Sequence, residues 1–212
     1  MINQDFILLI FNCKKYKFKA DLQRKTWLKN IPKNLLYFHV IGDPNLSQEF
    51  IFDNKDNILI VKTKDDYISL PQKVISAYEA IYKTYNFKYI FKTDDDQNLI
   101  YPKFLFVLIK YLIKNNYDYG GNNIIVPKTQ YSNYHEYHDE IPKDCILIKG
   151  MYCNGRFYFL SYNSIQNLIS KKNIFKNEYF EDYAIGYNLD EKLKNNFFNL
   201  PTEIVFNDFE FK

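Results

Sequence analysis

Cysteine, glycine and long apolar runs are all in short supply, and each shortage excludes something. The three cysteines, Cys13, Cys145 and Cys153, are too few and of the wrong parity for a disulfide framework, and point to a reducing compartment. A Cys145–Cys153 bridge has only proximity in its favour. Six glycines, with no Gly/Ser stretch, repeat or low-complexity break, leave no linker, so a single domain over residues 1–212 is expected. The apolar run Phe6–Phe11 is too short for a membrane span, and residues 1–5 lack the basic segment that opens a signal peptide. Charge of one sign is also missing. Twenty-eight basic residues face 25 acidic ones, with no dense basic block, which weighs against a nucleic-acid partner. Tyr (20) and Phe (19) are plentiful, as are Asn, Lys and Ile. A/T-rich codons encode all of these, so a single Tyr or Lys carries little functional information.

The pattern of elements is that of an α/β domain. Phe6–Phe11 reads as a strand buried on both faces. Residues 21–30 read as a helix that Pro32 ends, 36–41 as a strand stopped by Gly42-Asp43-Pro44, and Ile58–Val61 as another strand. Ser69 is the expected N-cap of a helix with Pro71 in its first turn, continued by Val74, Ala77, Tyr78, Ile81, Tyr82 and Tyr85 at helical spacing. A strand over 89–92 runs directly into Asp94-Asp95-Asp96. Helices over 102–114, 163–171 and 181–194 and a strand over 156–160 complete the alternation, while the segment 118–126 sets Gly120-Gly121 between aromatic and β-branched residues. It predicts a Rossmann-type, mostly parallel sheet flanked by helices.

Two acidic motifs carry the chemistry. Three successive aspartates at a strand's carboxyl end repel one another and call for a cation or a positive field. That end of an open α/β sheet is where ligands bind, and carboxylate oxygens suit Mn²⁺ or Mg²⁺ shared with a diphosphate. The competing reading is a solvated acidic turn. Glu181-Asp182 opens an apolar segment. Such residues commonly complement the helix dipole, and the functional alternative makes one of them a general base. His135-Glu136-Tyr137-His138 is not a His-Glu-x-x-His metal site, because its second His comes one position early. It reads as an exposed aromatic loop, in a position that would suit acceptor binding.

Taken in order, the motifs resemble the β-1,3-galactosyltransferase and fringe superfamily, which has the GT-A fold. Arg24-Lys25-Thr26-Trp27 resembles its Arg-x-Thr-Trp, and Phe38-His39-Val40-Ile41-Gly42 its Phe-x-x-x-Gly. The segment from Asp65 to Lys73 keeps Asp65, Tyr67, Leu70 and Lys73 of its Asp-x-Tyr-x-Asn-Leu-Thr-x-Lys. Lys92-Thr93-Asp94-Asp95-Asp96 resembles Lys-x-Asp-Asp-Asp, the DXD-type motif. Tyr152-Cys153-Asn154-Gly155, with Tyr158 and Ser161, is similar to its glycine-bearing strand, and Glu181-Asp182 with Gly186 to its Glu-Asp-x-x-x-Gly. The resemblance implies an inverting, Mn²⁺- or Mg²⁺-dependent transferase. It would move a hexose or N-acetylhexosamine from a UDP-sugar to a hydroxyl of a glycan or glycoprotein. Asp96 would ligate the metal, Asp94 and Asp95 would contact the donor or support the loop, and Asp182 would be the base. Arg24, Lys73 and Gly155 would lie near the nucleotide-sugar.

Three departures stand out. Arg156 and Phe157 follow Gly155 where the family is Gly-x-Gly-like, so Phe157 is expected to reshape the donor pocket unless it points into the core. The late metal-binding His is missing, leaving Asn207, Asp208, Glu210 or water to replace it. No membrane anchor is found, unlike in Golgi members, so a cytoplasmic enzyme of a microbe or virus is expected. Two other readings compete. One is a non-catalytic sugar-nucleotide or glycan-binding protein of the same fold, which would release no UDP. The other is a metal-dependent phosphoryl or nucleotidyl transferase, which would turn over a nucleoside triphosphate.

Overall fold

A computed structural model describes residues 1–210. Its main sheet has eight strands: β1 (Phe6–Phe11), β2 (Leu35–Gly42), β3 (Phe50–Asp53), β4 (Ile58–Val61), β5 (Tyr89–Asp94), β6 (Tyr119–Val126), β7 (Gly150–Ser161) and β8 (Phe197–Asn199). Their order is β8-β6-β7-β5-β1-β2-β4-β3. β5, β1, β2 and β4 form a parallel block, and β8 runs parallel to β6. β7 is antiparallel to both its neighbours, and β3 is antiparallel to β4.

The unbroken apolar runs have the purpose their composition implies, since every residue of β1 is buried. Ile7, Leu9 and Phe11 face one core with Val74, Tyr78 and Ile81 of α2 (Leu70–Thr84), together with Ile165 and Leu168 of α4 (Tyr162–Ser170). Phe6, Leu8 and Ile10 face a second core with Trp27 and with Leu105, Leu108 and Leu112 of α3 (Phe104–Asn115).

Two helices differ from expectation. The segment 21–30 is not one helix: α1 covers Lys17–Lys25, and a single 3-10 turn follows over Trp27–Asn30. The Thr26 hydroxyl donates back to the Leu22 carbonyl at 2.7 Å, and its backbone leaves helical geometry. The segment 181–194 is split into α5 (Glu181–Asn188) and α6 (Glu191–Asn195), because Leu189 and Asp190 are extended. Leu189 is drawn into the core, and Asp190 is held by Lys171 at 2.7 Å and Asn167 at 2.7 Å. Ser69 precedes α2 without a side-chain cap, and Asp66 accepts from the Ser69 N–H instead, at 2.8 Å. All three cysteines are free, so Cys145 and Cys153 are not bridged. No helix among the described residues is long and apolar enough to cross a membrane.

The expectation that Phe157 shapes a donor pocket is overturned. Its ring has no exposure and packs against Phe91, Phe104 and Phe206, with centroids 6.0, 5.4 and 5.1 Å away. Arg156 also turns from the cleft, to the Phe206 carbonyl (3.0 Å) and Asp208 (3.1 Å). Phe157→Ala is therefore expected to cost about 3–5 kcal/mol in denaturant unfolding, as truncation of a buried aromatic ring does. Ligand affinities should stay unchanged at temperatures where the variant is folded. A variant of wild-type stability would contradict this packing.

Candidate active site

The carboxyl ends of β1 and β5 lie level, Phe11 opposite Asp94, and open into a cleft of about 580 Å³. The three aspartates, Lys73, Gly155 and Asp182 all line it. Arg24 does not. Its guanidinium is held by Asp21 at 3.0 Å and by the Asp56 carbonyl at 2.8 Å.

Lys92 organises the centre. Its side chain is 1% exposed, yet its ammonium meets Asp94 at 2.7 Å, Glu181 at 3.1 Å and the Gly155 carbonyl at 2.6 Å. Burial works against the charge on Lys92, but Asp94 and Glu181 outweigh it and hold the pKa above the ordinary lysine value. Gly155 reaches this point through an irregularity. The pairing of β7 with β6 shifts register between Cys153 and Tyr158, which releases backbone groups from the ladder. The backbone groups of Gly155 and Arg156 find side-chain partners. The Gly155 N–H donates to Asp182 Oδ2 (3.1 Å), the Arg156 N–H to Asn154 Oδ1 (2.9 Å), and the Thr93 hydroxyl to the Arg156 carbonyl (2.7 Å).

The two acidic residues that open α5 have separate fates. Glu181 is 5% exposed, tied to Lys92 and to the Tyr158 hydroxyl, which also meets the Tyr78 hydroxyl at 2.8 Å. Asp182 is half-buried on the cleft wall, accepting from the Gly155 and Tyr183 N–H groups at 3.1 and 2.8 Å. Burial raises its pKa above the ordinary carboxylate value against the pull of Lys92, making it a stronger base. Gly186, one turn on, permits the docking. A Cβ there would meet Tyr152 Cα at 2.6 Å and the Met151 carbonyl at 2.8 Å, so only glycine lets α5 lie this close to β7.

The triplet is divided in the same way. Asp94 pairs with Lys92, and Asp95 with Lys19 at 3.0 Å. Asp96 has no Lys or Arg partner among the described residues and accepts from the Gln97 amide at 2.8 Å. The same amide nitrogen donates to Asp208 at 2.7 Å. Of the three expected substitutes for the missing His, Asp208 thus lies beside the triplet, although Arg156 engages it. Asn207 pairs with Asn98 at 3.1 Å. Lys73 spends two of its protons on Asp65 (2.8 Å) and the Asn12 carbonyl (2.9 Å).

Several supporting residues escaped the sequence reading. Gln23, fully buried, donates one amide nitrogen to the Asp94 and Gln97 carbonyls at 3.0 and 2.9 Å. The Trp27 indole N–H reaches the Gln97 carbonyl at 3.0 Å. The Gln23 oxygen accepts from His39 Nε2, 3.0 Å away. The first-helix and second-strand motifs therefore form a bracket beneath the triplet. A Gln four residues before the Trp was the available clue, but a lone polar residue on a helix does not declare its partner.

Comparison with known proteins places the chain. The model of the Galactosyltransferase family matches residues 20–194, and the chain belongs to that family. It is similar in fold to the glycosyltransferase GlyE of Streptococcus pneumoniae TIGR4 (11% identity, TM-score 0.48, 95% of this chain and 46% of that one). It is similar also to the bifunctional glycosyltransferase WbbM (12%, 0.50, 94% and 39%) and to S. aureus TarS 1–349 (10%, 0.50, 95% and 59%). The fold is of the GT-A type. The chain spans about two-fifths to three-fifths of the length of these structures. No curated protein matches.

Burial, with the positive charge of Arg24, depresses the His39 pKa from 6.5 to about 3. Its neutral ring then contributes stability that is complete above pH 6.5 and is lost as pH falls from 6.5 toward 3, roughly 5 kcal/mol at the limit. In an NMR titration the His39 ring signals should stay those of neutral imidazole down to about pH 4. Protonation near pH 6.5 would contradict the bracket.

Proposed function

We propose that this protein transfers a hexose or N-acetylhexosamine from a UDP-sugar to a sugar hydroxyl, by inverting displacement assisted by Mn²⁺ or Mg²⁺. One observation carries the reading: both members of the Glu181-Asp182 pair line the cleft, but Glu181 is buried and committed to Lys92 and Tyr158, whereas Asp182 is half-buried and accepts from the backbone N–H groups of Gly155 and Tyr183. Family membership supports the nucleotide-sugar donor and the glycan acceptor.

The donor set suits a metal shared with substrate rather than a protein-built cage. Among the described residues, no three His, Cys, Asp or Glu side chains are grouped to hold an ion. Asp96, whose carboxylate meets no lysine among the described residues, is the residue that would hold one, and the remaining positions would fall to diphosphate and water. When bound, the ion supplies Lewis-acid charge to the departing diphosphate. Asp94 and Asp95 are already matched by lysines and serve as supports of the loop. Lys15 adds positive charge on the cleft wall, whereas Lys19 and Lys73 are matched by Asp95 and Asp65, so most of the charge a diphosphate requires would come from the ion.

In the transfer step the acceptor oxygen attacks the anomeric carbon. The bond from that carbon to the diphosphate oxygen breaks, and its electron pair leaves with UDP. The hydroxyl proton passes to Asp182. The N–H groups of Gly155 and Tyr183 fix the carboxylate in position, and burial has already raised its basicity.

Asp182→Asn should lower transfer by roughly 10²-fold or more with UDP affinity unchanged, whereas Asp96→Ala should remove metal-dependent UDP affinity in calorimetry. Wild-type transfer by Asp182→Asn would sink the base assignment. Unchanged metal-dependent binding in Asp96→Ala would remove that residue from the site.

A further inference from the structure

Beside its carboxylates and lysines the cleft carries a set of aromatic rings. Tyr67, Tyr134, Tyr152, Tyr179, Phe180 and Tyr183 line it. Two of these rings differ from the core tyrosines. Tyr78, Tyr119 and Tyr158 are wholly buried with bonded hydroxyls. Tyr67 and Tyr134, although on the cleft wall, are each 40% exposed.

Both rings are also backed. Tyr67, in the loop before α2, stacks on His138 with centroids 4.1 Å apart and planes 11° from parallel. Tyr134, in a 3-10 turn over Tyr134–Glu136, packs on Phe180 at 5.1 Å. A backing ring fixes the plane of its partner before any ligand arrives, which lowers the ordering cost of binding. The loop carrying Tyr134 and His138 is closed at its base, where Gln130 and Tyr131 pair with Leu147 and Ile146 and the Ser132 N–H donates to the Cys145 carbonyl at 2.8 Å.

Asp182 lies within electrostatic reach of both phenols. Burial first, then the charge of Asp182, raises Tyr67 to about 12 and Tyr134 above its ordinary value. Both therefore remain neutral hydroxyls, able to donate to a ligand that approaches the base.

We propose that Tyr67 and Tyr134 form the acceptor subsite: two pre-oriented aromatic faces that hold a pyranoside by its C–H face beside the Asp182 carboxylate. The inference rests on the transfer reading above and adds to it the residues that select the acceptor. Sugar rings present an apolar face of C–H groups and an edge of hydroxyls. A fixed aromatic plane takes the first while a carboxylate meets the second.

Saturation-transfer NMR with methyl β-galactoside, β-N-acetylglucosaminide, β-glucoside and α-mannoside, in the presence of UDP and Mn²⁺, tests this. At least one glycoside should bind wild-type protein, and Tyr67→Ala and Tyr134→Ala should each weaken that binder by about tenfold or more. Tyr67→Phe and Tyr134→Phe should retain affinity within about threefold. These two variants separate ring stacking from loss of fold. Tyr137→Ala, on the same loop at 74% exposure and away from the cleft, should bind as wild type. UDP affinity in the alanine variants should not change. The subsite is overturned if wild-type protein binds UDP but none of the glycosides, or if both alanine variants bind sugar normally. If wild-type protein binds no UDP, the transfer reading itself fails and takes the subsite with it.

Discussion

One buried ammonium sets the geometry of this cleft. Lys92 sits at 1% exposure where three chain segments meet: the end of β5, the irregular stretch of β7 and the start of α5. An unpaired charge at that depth would be very costly, so the segments that supply Asp94, Glu181 and the Gly155 carbonyl must all be in place for the fold to hold. The converse also applies. Asp94 and Glu181 would repel one another without the lysine between them, and burial already pushes both carboxyl groups up. The site is thus assembled by mutual compensation.

This compensation decides which acidic groups are left for chemistry. Lys92 consumes Asp94 and Glu181, and Lys19 consumes Asp95. Asp96 and Asp182, on different elements, remain on the cleft wall without a lysine at bonding distance among the described residues. The divided pairs therefore account for a pattern that looks redundant on paper. In each acidic motif some members neutralise the scaffold's lysines and one, on the proposed function, is kept for ligand. The Gln23–Trp27–His39 bracket serves the same end from below, fixing the carbonyls of Asp94 and Gln97.

Much of this was legible in the sequence, for identifiable reasons. Continuous apolar runs such as β1 and the Pro71 start of α2 are local signals, and their bounds emerged almost unchanged. The place of the triplet at a strand's carboxyl end follows from the same local pattern. What was not legible depends on long-range pairing. The register shift in β7 has no local signature, so Phe157 seemed to stand at the donor, whereas it packs in the core and Arg156 reaches Phe206 and Asp208. Arg24 matched a motif, yet its charge is satisfied locally, and the motif's value lies in Trp27. Charges state what they can pair with but not which partner they find.

The central claim is that Lys92 and Glu181 are held as a compensating pair, and a double-mutant cycle in denaturant unfolding tests it directly. Lys92→Met should destabilise by about 3–5 kcal/mol, because it strands buried carboxylates. Glu181→Gln added to Lys92→Met should cost far less than Glu181→Gln alone, giving a coupling energy of about 1 kcal/mol or more. Additive effects of the two substitutions would contradict the account.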